Sequence, residues 1–361
     1  MKKIKVIVTG AGGAASIGFC HSLYDADTNY EIIGVDRDKY HLNLAKVDHR
    51  YLVPSAKDPD YIEVLNYIIE KHHPDFLHSQ PDVEIEVLSD NREKFKVKTN
   101  FPSKETVRIC VDKWQSYKKW KDAGVKVPAT LFIRNRQDLL SAFKNLGKTI
   151  WLRDIKGAGG RGSLPTSNFK EACAWIDFCA GWGHFNAAVL LSPRTTTWSS
   201  IWDNGKLIVA QTRERLYWEY CSNSSSGITG LTGTGITVDD EAVTDVAIAS
   251  IYAIDPVPHG IFSVDMTYDF DGVPNPTEIN IARFFTTHYF FTCAGVNFPD
   301  IFIRTSLGLP VEELSKKINP LPEGLAWTRG MDIKPVLGNI SNFSKFEEDL
   351  NNLRIQIRDK L

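Results

Sequence analysis

Between Ile261 and Arg283, Phe262, Val264 and Met266 alternate with Ser263, Asp265 and Thr267, which predicts a strand with one apolar and one polar face. Asp271-Gly272 is a two-residue hairpin signal, because both central positions of the favoured turn need positive φ. A turn of that length pairs Phe270 with Val273, sets Asp265 opposite Glu278, and puts Asn280 on the same face. Opposed carboxylates repel, so a shared cation explains them, and an all-oxygen set without His or Cys suits Mg2+ or Mn2+. A solvated hairpin face is the other reading. Pro274 and Pro276 cannot donate to a ladder, and a one-residue slip would send the two acids to opposite faces.

The same patterning organises the rest of the chain. Ile4 to Thr9 and Ile32 to Val35 read as buried parallel strands, joined through the glycine turn Gly10 to Gly18 and a helix. Asp58-Pro59 opens a helix with Ile62, Leu65, Ile68 and Ile69 on one face. A short strand at Phe76-Leu77 then leads to Gln80-Pro81-Asp82, at the sheet edge where open parallel sheets hold ligands. Further helices are predicted from Asp112-Lys113 to Gly124, from Gln137 to Leu146, from Asn168 to Ala180 and from Asp239 to Ile254. Ala187 to Leu191 is a strand, Thr197 to Asp203 and Lys206 to Arg213 form a hairpin around Asn204-Gly205, and Ile340 to Leu361 is a polar helical tail. Cys221 to Gly235, almost wholly Ser, Thr and Gly, reads as a cover over a site.

At 361 residues the chain has room for two or three domains. The expected boundaries are 1–100, 101–188, 189–340 and a tail over 341–361. A formal charge of −2, from 42 basic and 44 acidic residues, gives no electrostatic case for nucleic acid or an anionic membrane and points to a small-molecule partner. The six cysteines show no C-x-x-C spacing and no zinc-like pairing with histidine, and no apolar run reaches membrane-span length. A cytoplasmic setting is the expectation.

Two glycine-rich stretches carry candidate chemistry. Gly10 to Gly18 (G-A-G-G-A-A-S-I-G), with Asp36 closing the second strand, approaches a dinucleotide fingerprint and supports an NAD(P)-dependent oxidoreductase as one alternative; tight helix-to-strand packing alone uses the same glycines. Thr149 to Ser163 is a strand running into K-G-A-G-G-R-G-S, where Gly157, Gly159, Gly160, Gly162 and Ser163 can turn backbone N–H groups toward phosphate, helped by Arg153, Lys156 and Arg161. A surface loop without function is the other reading of that stretch. His259 and His288 flank the acidic hairpin, but nothing pairs either with a nucleophile.

Taken together, Asp112-Lys113, R-D-I-K-G-A-G-G-R-G-S and D-M-T-Y-D-F-D-G-V-P-N-P-T-E-I-N-I-A-R, behind a βαβ beginning, resemble the ATP-grasp superfamily, nearest to carbamoyl phosphate synthase-like carboxylate–amine ligases. The resemblance implies a mixed α/β and α+β architecture, a Rossmann-like pre-ATP-grasp domain followed by a two-subdomain ATP-grasp fold. It implies ATP and Mg2+ as cofactors, with Lys113, Arg153 and the Gly157 to Ser163 loop on phosphate, Leu191 in the hinge beside the nucleotide, and Asp265, Glu278 and Asn280 on the metal. Arg153 and Arg283 take catalytic places beside the transferred phosphate, although a strictly continued strand would turn Arg283 away from Asn280. The Gly10 to Gly18 turn becomes a substrate-side element. The implied reaction is ATP-dependent amide formation through an acyl phosphate, with small-molecule carboxylate and amine partners and with a homo-oligomer left open. A nucleotide-binding module without catalysis is a further alternative. The sequence departs from the pattern at Leu190 to Thr197, which lacks the acid that usually meets the ribose hydroxyls.

Overall fold

The computed structural model describes residues 3–157, 159–329 and 341–359. Its strands fall into three sheets in chain order. The first is parallel, with order β3-β2-β1-β4, from β1 (Ile4–Thr9), β2 (Tyr30–Asp36), β3 (His49–Leu52) and β4 (Phe76–Ser79). Alternate residues of β1 serve opposite cores: Val6 and Val8 pack with Phe19 and Leu23 of the helix Ala14–Tyr24, while Ile7 packs with Leu65, Ile68 and Ile69 of the helix Tyr61–His72. Both faces of the central strands are covered, which is why β1 and β2 read as apolar runs, whereas edge strand β3 (H-R-Y-L) is largely polar.

The second sheet, β5 (Thr130–Ile133), β6 (Ile150–Asp154), β7 (Leu164–Thr166) and β8 (Phe185–Val189), is antiparallel in order β5-β8-β6-β7. The third joins β9 (Thr195–Asp203), β10 (Lys206–Trp218), β11 (Thr232–Val238), β12 (Gly260–Tyr268), β13 (Pro274–Ile281) and β14 (Ala326–Thr328) in order β13-β12-β9-β10-β11-β14. Here β13 is an edge strand, which is how it tolerates Pro274 and Pro276. Asn204 and Gly205 both have positive φ at the β9–β10 turn, the two-residue hairpin their side chains favour.

Register in the third sheet sorts its two faces. Trp198, Trp202, Phe262, Val264 and Met266 face Val243, Ala247 and Ile251 of the helix Glu241–Ile254. The opposite face is graded. Ile201, Val209 and Ile261 form an apolar row at one end; toward the other come Ser199, Gln211 and Ser263, then Thr197, Arg213 and Asp265. Continued alternation thus carries one face from core into chemistry.

The tail expected from Ile340 is a helix, Ser341–Arg358, laid against the first sheet's side. Leu350 and Leu353 join the core of Tyr61 and Leu65, and Arg354 lies 3.1 Å from Asp58. The helix starts later than Asp58-Pro59 suggests: Asp60 holds the N-cap position before Tyr61, and Asp58 Oδ1 accepts from Asp60 N at 3.0 Å. The helix Phe298–Leu307, capped by Asn297 and closed by Gly308, escaped the sequence reading because its Phe298, Ile301, Phe302 and Ile303 stripe abuts another apolar run.

Candidate active site

Asp265 faces Glu278 across the β12–β13 ladder. The turn that joins these strands differs from the expected two-residue form. Asp269 N–H bonds Val273 O at 2.9 Å, Gly272 alone of the Asp271-Gly272 pair has positive φ, and Asp269 Oδ1 accepts from Val273 N at 2.9 Å. The Asx contact stabilises the longer loop. That displaces the register by one residue at Met266, Thr267 and Tyr268, and an irregularity between Asp265 and Met266, opposite Thr277, restores it. Two departures cancel, so the acids share a face.

Asn280 Nδ2–H donates to Asp265 Oδ2 at 2.8 Å, and Thr197 donates to Asp265 Oδ1. Glu278 Oε2 lies 3.3 Å from Lys113 Nζ, which also donates to Gly157 O at 2.7 Å. Lys113 stands at the first position of the helix Lys113–Asp122, placed by the Asp112 cap. Arg153, on β6, donates to Thr277 O at 3.0 Å beside Glu278. Burial alone raises the Glu278 pKa, but Lys113 and Arg153 outweigh it and hold the carboxyl below its ordinary value.

Arg283 reaches the site by a backbone reversal. Ala282, buried, has φ of 57°, and its N–H bonds Ile261 O at 2.8 Å. This left-handed residue breaks the alternation that would have turned Arg283 to the opposite face. Arg283 donates to Asn280 Oδ1 and, through two nitrogens, to the Asp82 carboxylate. Asp82 begins the helix Asp82–Asp90 at the end of β4, and neighbouring Gln80 Oε1 accepts from Phe284 N at 3.0 Å. The Gln80-Pro81-Asp82 loop is thereby fastened to the end of β13.

Two cavities meet at this hairpin. One of about 550 Å³ is lined by Lys113, Arg153, Gly157, Gly159, Gly160, Arg161 and Ser163, by Leu190, Leu191 and Ser192 of the hinge, and by Asp265 and Glu278. The other, about 350 Å³, is bounded by Gly10 and Gly13 to Ser16, Gln80 to Asp82, Arg213, Arg215 and Arg283, and again by Asp265 and Glu278. Asn280 lines only the second. Lys156 and Gly162 line neither: Lys156 Nζ lies 3.5 Å from Glu86, and Gly162 packs over Asp154 and Phe185. In the hinge, Arg194 pairs with Glu214 at 2.7 Å.

The glycine loop meets the Ser/Thr/Gly cover directly. A Cβ on Gly160 would stand 2.5 Å from Ile228 O, and one on Gly230 would stand 2.9 Å from Gly159 Cα. Close backbone approach explains why both stretches are glycine-rich.

Arg213, Arg215 and Trp218 were not singled out from the sequence. The available signal was Q-T-R-E-R at Gln211 to Arg215, two arginines at alternate positions on a strand and hence on one face. Arg213 Nη2 donates to Thr197 Oγ1 at 2.9 Å and Nη1 to Thr232 Oγ1 at 2.8 Å; Arg215 lies over the Trp218 ring at 3.6 Å and 4.0 Å from Asp265.

The acid that would meet a dinucleotide ribose is already engaged. Asp36 is buried, accepts from Gly12 N at 3.0 Å and Asp38 N at 2.9 Å, and so braces the turn itself. A Cβ on Gly12 would come within 1.8 Å of His41 O, because the short helix Lys39–Leu44 lies against the turn. His288 is buried against Phe284, and His259 accepts from Asn204 N; among the described residues neither is hydrogen-bonded to a Ser, Thr or Cys side chain.

Three joined units, a parallel sheet followed by two antiparallel sheets with a glycine loop and an acidic hairpin around one cleft, are the ATP-grasp fold. The PylC-like N-terminal domain family model matches residues 6–100. Among solved structures, the N5-carboxyaminoimidazole synthetase of Staphylococcus aureus complexed with ADP is similar over 86% of this chain and 79% of its own, with TM-score 0.65 and 16% identity. Biotin carboxylase of Campylobacter jejuni, in a β,γ-ATP complex, is similar over 86% and 72%, with TM-score 0.66 and 17% identity. The L-amino acid ligase of Bacillus licheniformis is similar over 85% and 75%, with TM-score 0.63 and 12% identity. No curated protein matches the sequence. No helix among the described residues is long and apolar enough to cross a membrane.

Proposed function

We propose that this protein is an ATP-dependent carboxylate–amine ligase. The observation that carries the reading is the position of Asp265 and Glu278 in the wall common to both cavities, one beneath the glycine loop and hinge, the other against the glycine turn of the parallel sheet. A nucleotide in the larger cavity would direct its phosphates toward that wall, past Lys113, Arg153 and the loop amides. The carboxylate oxygens of Asp265 and Glu278 fit Mg2+, with Mn2+ as a substitute, and the cation would neutralise charge on the transferred phosphoryl group; Asn280 gives its Oδ1 to Arg283 and its Nδ2 to Asp265, so its oxygen would join the set only once the amide turns over.

The substrate carboxylate enters from the smaller cavity and attacks the γ-phosphorus; the bond to the β–γ bridging oxygen breaks and ADP leaves. Arg153 and Arg283 flank this transfer as fixed positive charges. An amine then attacks the acyl phosphate carbon, loses a proton, and expels phosphate to give the amide. The residues' work is to orient the two reactants and neutralise charge, and no side-chain nucleophile is required.

The experiment is ADP release with a carboxylate and amine panel, after ATP·Mg and NAD(P)H binding has been titrated by calorimetry. ATP·Mg binding with carboxylate-dependent ADP release supports the ligase. Binding without turnover across the panel favours a non-catalytic nucleotide-binding module, and saturable NADH binding in place of ATP overturns the reading.

A further inference from the structure

Charge around the smaller cavity is unbalanced in a way the phosphoryl transfer does not use. Arg283 is matched by Asp82, and Glu278 by Lys113. Among the described residues Arg213 has no carboxylate within hydrogen-bonding reach. It is 1% exposed, its terminal nitrogens rest on the hydroxyls of Thr197 and Thr232, and its Nε has no partner among the described residues. Its guanidinium lies 4.6 Å over the Phe285 ring. Arg215 beside it lies 4.0 Å from Asp265, which the ligase reading assigns to a cation. Burial, first, and Arg215, second, push the Arg213 pKa down, and Asp265 offsets only part of that. A buried guanidinium whose direct partners are two hydroxyls and a ring face, and which meets Asp265 only through Thr197, is costly to keep, and an anion in the cavity would offset that cost.

The same cavity is bordered by a helix start that favours negative charge. The helix Ala14–Tyr24 begins there from Gly13, which offers no side-chain cap, and Ala14, Ala15 and Ser16 line the space. Uncapped first-turn N–H groups and the helix dipole favour negative charge. Arg213 borders this smaller cavity and is absent from the wall of the larger one, which puts it on the side away from the hinge segment Leu190 to Ser192.

We infer, resting on the ligase reading, that the carboxylate substrate carries a second anionic group, a carboxylate or phosphate, which Arg213 and the N-terminus of the helix Ala14–Tyr24 hold while the first carboxylate faces Asp265 and Glu278. Arg213 is a specificity-determining residue for dianionic substrates. It takes no part in bond making.

The test uses the full chain saturated with a non-hydrolysable ATP analogue and Mg2+, at a concentration set from each variant's own titration. Inorganic phosphate, glutarate and butyrate are then titrated by calorimetry. Phosphate or glutarate should bind at least about tenfold more tightly than butyrate, the scale of one charge-assisted pair, and the one that binds distinguishes phosphate from carboxylate. Arg213→Met should remove the preference. Its melting temperature should hold or rise, because an unmatched buried charge is gone. Ala15→Asp, which puts a negative charge at the helix start, should abolish dianion binding with Arg213 intact, and so decides the matter even if Arg213→Met fails to fold. Equal binding of all three probes, or a preference that survives Ala15→Asp, overturns the inference. If the ATP analogue does not bind, the ligase reading fails separately, and the same probes titrated without nucleotide into the unmodified protein and Ala15→Asp still decide the anion site.

Discussion

Asp265 and Glu278 stand opposite each other although the loop between their strands is one residue longer than a two-residue hairpin turn. The irregularity opposite Thr277 absorbs the difference, and Thr277 Oγ1 donates to Asp265 O at 3.0 Å where the ladder is interrupted. A bulge beside a cleft re-aims side chains, and here it keeps both acids in the wall shared by the two cavities.

Glu278→Gln tests that wall. Ligation should fall by about 10²-fold to 10³-fold, the usual effect of removing one well-placed electrostatic stabiliser. Metal-free stability should fall as well, because Lys113 and Arg153 lose their counter-charge. The Glu278 pKa is depressed in the folded state, so its stabilisation is present above the unfolded value and lost as pH falls through the folded one. Melting temperatures of variant and unmodified protein should therefore converge as pH falls below the ordinary carboxyl range. A gap that widens on acidification contradicts this.

Ala282 is the second test. A non-glycine residue in the left-handed region costs about 1–2 kcal/mol, more for a branched side chain. Ala282→Gly should leave thermal stability unchanged within about 1 kcal/mol, since relieved strain offsets added unfolded-state freedom. Ala282→Val should lower the melting temperature sharply and, by moving Arg283 off Asn280 and Asp82, reduce turnover. A valine variant as stable as the parent would show that the φ of 57° is not maintained in solution.

Gly160→Ala addresses the meeting of the two glycine-rich segments. The added methyl faces Ile228 O at 2.5 Å, and the residue's φ of 70° is unfavourable for alanine. The KM for ATP should rise about tenfold or more, or turnover should fall by a similar factor, with little change in melting temperature because the segment lies outside the cores. Hydrogen exchange at Gly159 to Gly162 should slow with ATP·Mg in the parent and much less in the variant. Unaltered kinetics would show that this contact has no part in nucleotide closure.

Gly12→Ala separates packing from cofactor binding at the parallel sheet. Its Cβ would overlap the His41 backbone at 1.8 Å, a contact no flexible side chain can relieve, so unfolding should become easier by several kcal/mol, in the range of core overpacking. NADH fluorescence should show no saturable binding to the parent protein, because Asp36 is committed to Gly12 and Asp38. Binding weakened by Asp36→Asn would reverse that assignment.

What the sequence by itself determined was what depends on neighbours along the chain. Period-two alternation set Asp265 on the face opposite Val264 and Met266, apolar runs marked the buried parallel strands, and glycine spacing marked the two segments that approach other backbone. Tertiary structure decided where those local features pointed. Alternation continued past Ile281 turns Arg283 away, and only the Ala282 reversal, held by Ile261 O, brings it to Asn280 and to Asp82, about two hundred residues earlier. Lys156 belongs to the glycine loop in sequence but pairs with Glu86 of the parallel-sheet unit. Asp36 stands where a ribose ligand would, yet its hydrogen bonds end on Gly12 and Asp38. Arg213 sits on a strand in a run of alternating charge, and only packing against Thr197, Thr232 and Phe285 from other segments removes its water. The physical reason is common to all four: a side chain's direction follows from local backbone geometry, whereas its partner and its desolvation depend on segments that only the folded chain brings near.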